Sequence, residues 1–474
     1  MKRYFVAVTS CLAYICVFCT RLNLNITIIS MVKRWNATTE EQNSNVTKIT
    51  YDDSATNSLP TFDWDDQTQQ QILGSFYYGF IISGLPGGWL AGKIGGKRSI
   101  VIVLLLQGLL SAMIPWAAGV GTSLLTIVRV LQGVIEGLVM PGIYMTLSKW
   151  IVPSERSTLV SMAYSGSCIA EVCCYPLSTW ISTSPSLGGW PTSYYTYSFL
   201  CALLAIVCIA FVYDDPVDDP YVSTREVEYL KSFELEQTNK DVPVPWCDIF
   251  TSTAVWSIIV AYMAFNFSYI FILTEGPSYL LILGFNITSI AILTSIPSIL
   301  EFIVTLLSGA SADVIIRREY LNVLNTRKFF MILHMGIPAM CLFFIGYFDE
   351  QHAVECVILL TVAFTCGGMY AASTLTNIME ISKEHSQIIV GMVTTGAAVV
   401  GFIGPLILGA LIKEDNTANQ WSLMFRIIAA VHIFAMIFFL MFAKAEQQEW
   451  SHGHIRPTKL EMKSYNTIQD ESGD

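Results

Sequence analysis

Long apolar runs are the feature that most constrains this chain. Windows of about 19 residues find roughly twelve such runs, from about residues 5–31 to one centred near residue 432. Hydrophobic residues make up 53% of the 474 residues and charged residues only 13%, whereas soluble proteins carry about a quarter charged residues. Each run can cross a bilayer as an α-helix. The sequence therefore predicts an all-α, multi-pass membrane protein whose surroundings are the lipid bilayer.

Polar segments divide the predicted spans into two groups of about six. We expect an N-terminal half over residues 1–213 with a polar loop at about 32–70, a central loop at 214–250, a C-terminal half at 251–443 and a tail at 444–474. Lysine and arginine concentrate in the connections on one face, which predicts that this face and both termini are cytoplasmic. The loop at about 32–70 lies on the other face and carries two glycosylation sequons, at Asn36 and Asn45.

Arg129 and Glu136 lie inside one of the apolar runs. Their spacing of seven residues is two helical turns, so both side chains leave the same face of a helix. A charge at the centre of a membrane helix costs about 2.5–3.5 kcal/mol on insertion scales. Neither charge is expected to face lipid, and a wet cavity that binds and moves an ion would suit both. A purely structural ion pair between helices is the alternative.

Other classes of function have little support in the sequence. There is no basic stripe for a nucleic acid, and no His-Glu-x-x-His or Gly-x-Ser-x-Gly signature of an enzyme. Nearly all of the 12 cysteines fall in apolar runs, where they act as small buried hydrophobes, and their spacing suggests neither a metal site nor a disulfide framework. We therefore expect a protein that is not an enzyme and has no cofactor.

Several segments, in order along almost the whole chain, resemble solute carrier family 17 of the major facilitator superfamily. This is the sialin, vesicular glutamate and type I sodium–phosphate transporter family. The matching segments are Arg21-Leu-Asn-Leu-Asn25, Gly88 to Arg98, Arg129-Val-Leu-Gln-Gly133 with Glu136-Gly137, Gly189-Trp-Pro191 and Asn377-Ile-Met-Glu-Ile381. The resemblance implies the major facilitator fold, with twelve transmembrane helices in two six-helix halves.

The resemblance also implies roles for individual residues. Arg21 and Arg129 correspond to the arginines that hold the substrate anion, and Glu136 corresponds to the acid of proton coupling. An arginine fork suits a carboxylate or phosphate. We add Tyr78, Phe80 and Asn266 as candidate substrate contacts.

Several residues of this chain depart from the pattern of the family, and these differences narrow the range of expected substrates. Leu73 and Phe265 stand where vesicular glutamate transporters carry histidine and arginine, so the chain is more similar to the sialin branch. Glu171, Glu275 and Glu301 are additional acids in predicted spans, where relatives usually carry neutral residues, and could couple a further ion. Glu275 precedes Gly276-Pro277, where a helix can break.

The expected function is secondary active transport of an organic anion of the sialic acid or acidic amino acid type, with proton coupling. The alternative is sodium-dependent cotransport of inorganic phosphate or a similar anion, so the coupling ion is H⁺ or Na⁺. A segment from Tyr465 to Ile468 fits a tyrosine-based sorting signal that adaptors could bind. The membrane of residence stays open between the plasma membrane and endolysosomal or vesicle membranes.

Overall fold

The computed structural model describes residues 2–32, 61–232, 244–348, 352–411 and 418–452. Within these ranges the chain forms twelve long helical spans, which we number in chain order. Spans 1–6 are Lys2–Met31, Asp66–Ile94, Gly96–Val120, Thr122–Glu136 continued by Val139–Trp150, Arg156–Tyr164 continued by Gly166–Thr183, and Trp190–Phe211. Spans 7–12 are Thr253–Ile282, Ile287–Arg317, Val323–Met331 continued to Ile345, Ala353–Thr365 continued to Ile381, Ser386–Leu411 and Ala418–Phe442.

Short helices connect the spans. They are Pro153–Glu155, Pro185–Leu187, Pro216–Asp218, Thr224–Lys231, Trp246–Thr251 and Glu449–His452. The predicted all-α membrane fold with two six-helix halves is confirmed. The sequons at Asn36 and Asn45 and the segment from Tyr465 to Ile468 lie outside the described residues.

Ten helices of the described chain are long and apolar enough to cross a membrane, and spans 2 and 5 fall outside that set. Span 2 begins with the polar run Asp66-Gln-Thr-Gln-Gln-Gln71, and span 5 contains Glu171 among several serines and cysteines. Both spans contribute side chains to the space between the halves. A helix that faces a cavity and other helices does not need an apolar surface all round.

Small residues allow the spans to pack closely. In span 4, a Cβ added at Gly133 would lie 2.1 Å from the backbone oxygen of Phe76 in span 2. A Cβ at Gly84 of span 2 would lie 2.9 Å from the backbone nitrogen of Thr395 in span 11. In membranes, such glycines let two backbones approach and gain van der Waals contact. Span 2 therefore lies between span 4 of its own half and span 11 of the other.

The halves are joined at the end of the bundle where spans 4 and 8 finish, which we call the basic end because Arg156, Arg317 and Arg327 lie there. The Asp313 carboxylate accepts hydrogen bonds from the backbone N–H groups of Ser157 and Thr158, at 3.0 and 2.7 Å. These N–H groups open the helix Arg156–Tyr164 and have no partner within it. An acid of the C-terminal half thus caps a helix of the N-terminal half.

A buried ion pair reinforces this junction. Arg327 Nη2 of span 9 donates to Glu380 Oε1 of span 10 at 2.7 Å and to Ser157 Oγ of span 5 at 2.9 Å, while its Nη1 donates to the Ala372 carbonyl at 2.7 Å. Arg327 is 1% exposed. The basic end is therefore closed by polar contacts that cross between the halves.

The predicted helix break at Glu275-Gly276-Pro277 is wrong. The helix Thr253–Ile282 continues through Pro277. Irregular turns occur instead in spans 9 and 10, as π-helical segments at Ile332–Gly336 and Ala371–Leu375. Each π-turn inserts one residue into the helical repeat and so changes which side chains face the neighbouring spans.

Candidate functional site

A cavity of about 790 Å³ lies between the two halves. Spans 1, 2, 4 and 5 supply one wall, and spans 7, 8 and 11 supply the other. The aromatic lining residues are Tyr14, Phe18, Tyr77, Phe80, Tyr164, Tyr262, Phe265 and Tyr269. The charged lining residues in the described part of the chain are Arg21, Glu136 and Glu301. Sites for small organic ligands have this mixture of apolar walls with a few polar groups.

Arg21 is the cation of the cavity. Its Nη1 lies 3.3 Å from Glu136 Oε1, and its Nη2 donates a hydrogen bond to Tyr77 Oη at 3.0 Å. The guanidinium carbon lies 4.7 Å from the ring centre of Phe76 and 5.8 Å from that of Phe80. Aromatic faces attract a guanidinium when water is excluded. These contacts hold Arg21 in place, and 19% of its side chain is exposed.

Glu136 is the last residue of the helix Thr122–Glu136, where span 4 turns before it resumes at Val139. Its side chain is 3% exposed. Besides Arg21, it faces Gln107 of span 3, whose Nε2 is 3.5 Å from Glu136 Oε2. Arg21 is the only ion-pair partner of Glu136 among the described residues. The ionised carboxylate therefore depends on Arg21, because a buried charge without a partner is unfavourable.

Arg129 lies behind the cavity wall. It is 2% exposed and is absent from the cavity lining, and its Nη1 donates to Gln132 Oε1 at 3.0 Å. Its guanidinium carbon is 5.4 Å from the ring centre of Phe76, the same ring that Arg21 contacts. The alternative reading, a purely structural ion pair of Arg129 with Glu136, does not appear among the described residues, because Glu136 pairs with Arg21 of another span.

The candidate aromatic and polar contacts divide into two groups. Phe80 and Asn266 line the cavity, as expected of substrate contacts, and Asn266 Nδ2 donates to the Tyr262 carbonyl at 3.0 Å. Tyr78 does not line it: 46% of this residue is exposed, and its ring packs 5.4 Å from that of Phe402. Tyr77, one residue earlier, takes the position at Arg21. One residue turns a helix by about 100°, so two adjacent tyrosines cannot share a face, and the sequence did not show which of them faces inward.

The three additional acids do not lie together. Glu301 of span 8 lines the cavity and is 1% exposed, and Glu171 of span 5 is 2% exposed behind it. Glu275 is only partly buried and is absent from the cavity lining. No group of three or more histidine, cysteine, aspartate or glutamate side chains suited to a metal ion occurs within the described ranges.

Twelve helical spans around a charged central cavity define a membrane transporter. The family model of the Major Facilitator Superfamily matches residues 10–405. Human sialin is 32% identical over 463 residues, which cover 95% of this chain and 92% of sialin. Zebrafish vesicular glutamate transporter 3 is 29% identical, over 95% of this chain and 74% of that protein. This chain therefore belongs to the major facilitator superfamily and, within it, to solute carrier family 17; it is a transporter and not an enzyme.

Solved structures agree on the fold. The proton:xylose symporter XylE bound to 6-bromo-6-deoxy-D-glucose superimposes with a TM-score of 0.71 at 14% identity, covering 94% of this chain and 97% of XylE. FucP in its outward conformation gives a TM-score of 0.63 at 14% identity, covering 93% of this chain and all of FucP. At this identity the likeness concerns the fold alone.

Proposed function

We propose that this protein is a secondary active transporter of organic anions, coupled to protons, that exposes its central cavity alternately to the two sides of the membrane. The observation that carries the proposal is the pairing of Arg21 with Glu136 inside a cavity between the halves. A fixed cation held by a single titratable carboxylate can exchange that carboxylate for the carboxylate of a solute.

The exchange follows from the charges. An arriving carboxylate accepts the hydrogen bonds of the Arg21 guanidinium and displaces Glu136 from it. Glu136 is then a buried carboxylate without its ion pair, and the ionised form is unfavourable in such a place. Glu136 takes up one proton and becomes neutral. Anion and proton are thereby bound together, and release of one favours release of the other.

The walls favour an organic anion over an inorganic one. Eight aromatic side chains line the cavity, whereas inorganic phosphate has no apolar surface to place against them. Tyrosine and phenylalanine offer apolar area, and tyrosine hydroxyls add hydrogen bonds to a polyhydroxylated or amino acid substrate. The names of the relatives agree, since one is a vesicular glutamate transporter.

Placement in the cell follows from the same proposal. The lysines and arginines of the basic end place it in the cytoplasm. The hydrogen bonds from Ser157 and Thr158 to Asp313 therefore close the cytoplasmic side of the cavity. The cavity then serves the lumenal or extracellular side, where Asn36 and Asn45 would be glycosylated. Tyr465 to Ile468 would lie in the cytoplasm within reach of sorting adaptors, in a plasma membrane or an endolysosomal or vesicle membrane.

Uptake into proteoliposomes tests the proposal. Labelled sialic acid, glutamate and phosphate are offered under an imposed proton gradient or sodium gradient. We expect proton-driven uptake of an organic acid that is lost in Glu136→Gln and in Arg21→Gln and is retained in Glu355→Gln, an exposed glutamate of span 10. Sodium-driven phosphate uptake that persists in Glu136→Gln would overturn the proposal in favour of sodium–phosphate cotransport.

A further inference from the structure

Glu171 and Glu301 lie on opposite sides of the boundary between the two halves. One residue is on span 5 and the other on span 8, and these spans pack against each other one turn away, where Cys168 Sγ lies 4.0 Å from Thr305 Oγ1. Glu171 is three residues after Cys168 and Glu301 is four residues before Thr305, so both acids project from the faces that make this contact. Both acids are at most 2% exposed, and Glu301 lines the central cavity. The two carboxyl groups are therefore buried at the same junction of spans 5 and 8.

Three of the four oxygens of these carboxyl groups have no hydrogen-bond partner among the described residues. Both oxygens of Glu171 and Oε2 of Glu301 are buried without a hydrogen bond in the described structure. Other native carboxylates at this boundary are well satisfied; Asp313, for example, accepts two backbone N–H groups. An ionised pair without donors or an adjacent cation would be strongly unfavourable in an apolar interior.

Within the described ranges, no cation forms an ion pair with either acid. Arg21 reaches Glu171 electrostatically, but its contacts are with Glu136 and Tyr77. The other titratable groups facing the pair are Cys168, Tyr164 and Tyr175. None of these is cationic. Two like charges that share a site cannot both ionise, as in dyads of carboxyl groups elsewhere.

We propose that Glu171 and Glu301 bind one shared proton when the basic end is closed, and that this proton site is separate from Glu136. With one proton bound, only one of the two groups carries a charge, so spans 5 and 8 pack together without repulsion between the acids. Loss of the proton leaves two carboxylates that push these spans apart. The inference rests on the part of the proposed function in which the halves move against each other, but it requires neither the substrate nor the exchange at Arg21.

Disulfide crosslinking measures the contact directly. Thr305→Cys places a second thiol beside native Cys168, and oxidation links spans 5 and 8. A protease site inserted between residues 232 and 244 shows whether the halves stay joined on a non-reducing gel. The protein with native Thr305 is the control that shows how much crosslinking comes from other cysteines. The same variant carrying Glu171→Gln or Glu301→Gln is the comparison. Because both acids lie near Cys168, the reactivity of that thiol is measured separately in each protein with native Thr305, and each crosslinking rate is divided by that reactivity at the same pH.

We compare the crosslinking rate of the Thr305→Cys protein that keeps both acids with the rate of the glutamine variants. We expect this ratio to fall about tenfold or more between about pH 6 and about pH 8.5, because two carboxylates repel and separate the spans once both are ionised. The glutamine variants should crosslink at a pH-independent ratio to each other. An identical pH profile with and without the acids would overturn the proposal. So would crosslinking that follows sodium at fixed pH, since the pair would then hold a metal cation. Crosslinking needs no substrate, so failure of anion uptake does not affect the result.

Discussion

Arg21 and Glu136, 115 residues apart in the chain, meet with 3.3 Å between Nη1 and Oε1 at the wall of the central cavity. Arg129, only seven residues before Glu136 on the same helix, bonds to Gln132 instead. Two turns of helix are about 10.5 Å long, so side chains that share a face need not touch. The ion pair at the cavity wall is therefore a contact between two spans and not a contact within one helix.

Tyr77 should contribute to anion binding through its hydroxyl, which accepts a hydrogen bond from Arg21 at 3.0 Å. Tyr77→Phe removes a hydrogen bond worth about 0.5–1.5 kcal/mol and lets the guanidinium move. We expect the KM for the anion to rise about three- to tenfold, with the maximal rate less affected. Tyr78→Phe is the matched control, because Tyr78 packs on Phe402 away from the cavity. An effect confined to Tyr78→Phe would restore Tyr78 as the substrate contact.

Arg129 should act on Glu136 at a distance and not by holding the anion. Its guanidinium contacts the same Phe76 ring as that of Arg21, the partner of Glu136, but it does not line the cavity. In Arg129→Met we expect uptake to fall about tenfold or more, and the pH for half-maximal uptake to move upward, because a cation that favours ionised Glu136 is gone. Arg21→Gln should instead raise KM. A raised KM with an unmoved pH profile in Arg129→Met would assign Arg129 to direct anion binding.

Gly133 should tolerate no side chain. A Cβ there would lie 2.1 Å from the backbone oxygen of Phe76, so spans 2 and 4 must separate. Overpacking of this kind costs about 1–3 kcal/mol. We expect Gly133→Ala to lower the melting temperature of the purified protein. Gly74→Ala in span 2, where the added Cβ meets no atom within 4 Å, should melt at or above the native temperature. Equal losses in both variants would contradict close packing at Gly133.

Arg327 should stabilise the closed basic end. Arg327→Met leaves Glu380 buried, with Arg156 as the nearest remaining cation at 3.9 Å. Removing one partner of a buried pair costs about 3–5 kcal/mol, so thermal stability should drop clearly. Arg318→Met removes an exposed arginine of the same connection and should have little effect. Adding Glu380→Leu to Arg327→Met should recover part of the loss; no recovery would mean that Arg327 acts through Ser157 and Ala372 alone.

His385 should make stability depend on pH. It lies in the turn before span 11, is 4% exposed, and stacks 6.5 Å from the Trp450 ring. Burial lowers its pKa below the usual value. The unfolded chain therefore binds the proton first as pH falls, and stability present near neutral pH is lost in acid. We expect the melting temperature to fall between about pH 7.5 and about pH 5.5, and to fall less in His385→Gln. Parallel curves would exclude a contribution from His385.

Much of the fold was predictable because bilayer thickness fixes the length of an apolar helix. Spans 2 and 5 show the limit, since the polar run at the start of span 2, and Glu171 with the serines of span 5, depress the mean hydropathy that identifies a span. In the site, Arg21 and Glu136 could be identified from the sequence as candidate functional residues, because charges are costly in a membrane. Their pairing could not be predicted, nor could the placement of Glu171 and Glu301 at one junction of spans 5 and 8, because both depend on how separate spans are rotated. Spacing within one helix carries no information on that rotation.

The pairing of Arg21 with Glu136 also bears on the electrical behaviour of the carrier. The empty pair has no net charge, and a monoanion that replaces Glu136 while that acid gains one proton leaves the sum unchanged. Under the proposed exchange, neither the empty nor the loaded carrier moves charge through the membrane field, so voltage does no work on it. A dianion would carry one uncompensated charge, worth about 2.3 kcal/mol for each 100 mV. The membrane potential would then act on transport of a divalent solute but not on that of a monovalent one. For a monovalent solute, the pH difference alone would set the concentration ratio across the membrane.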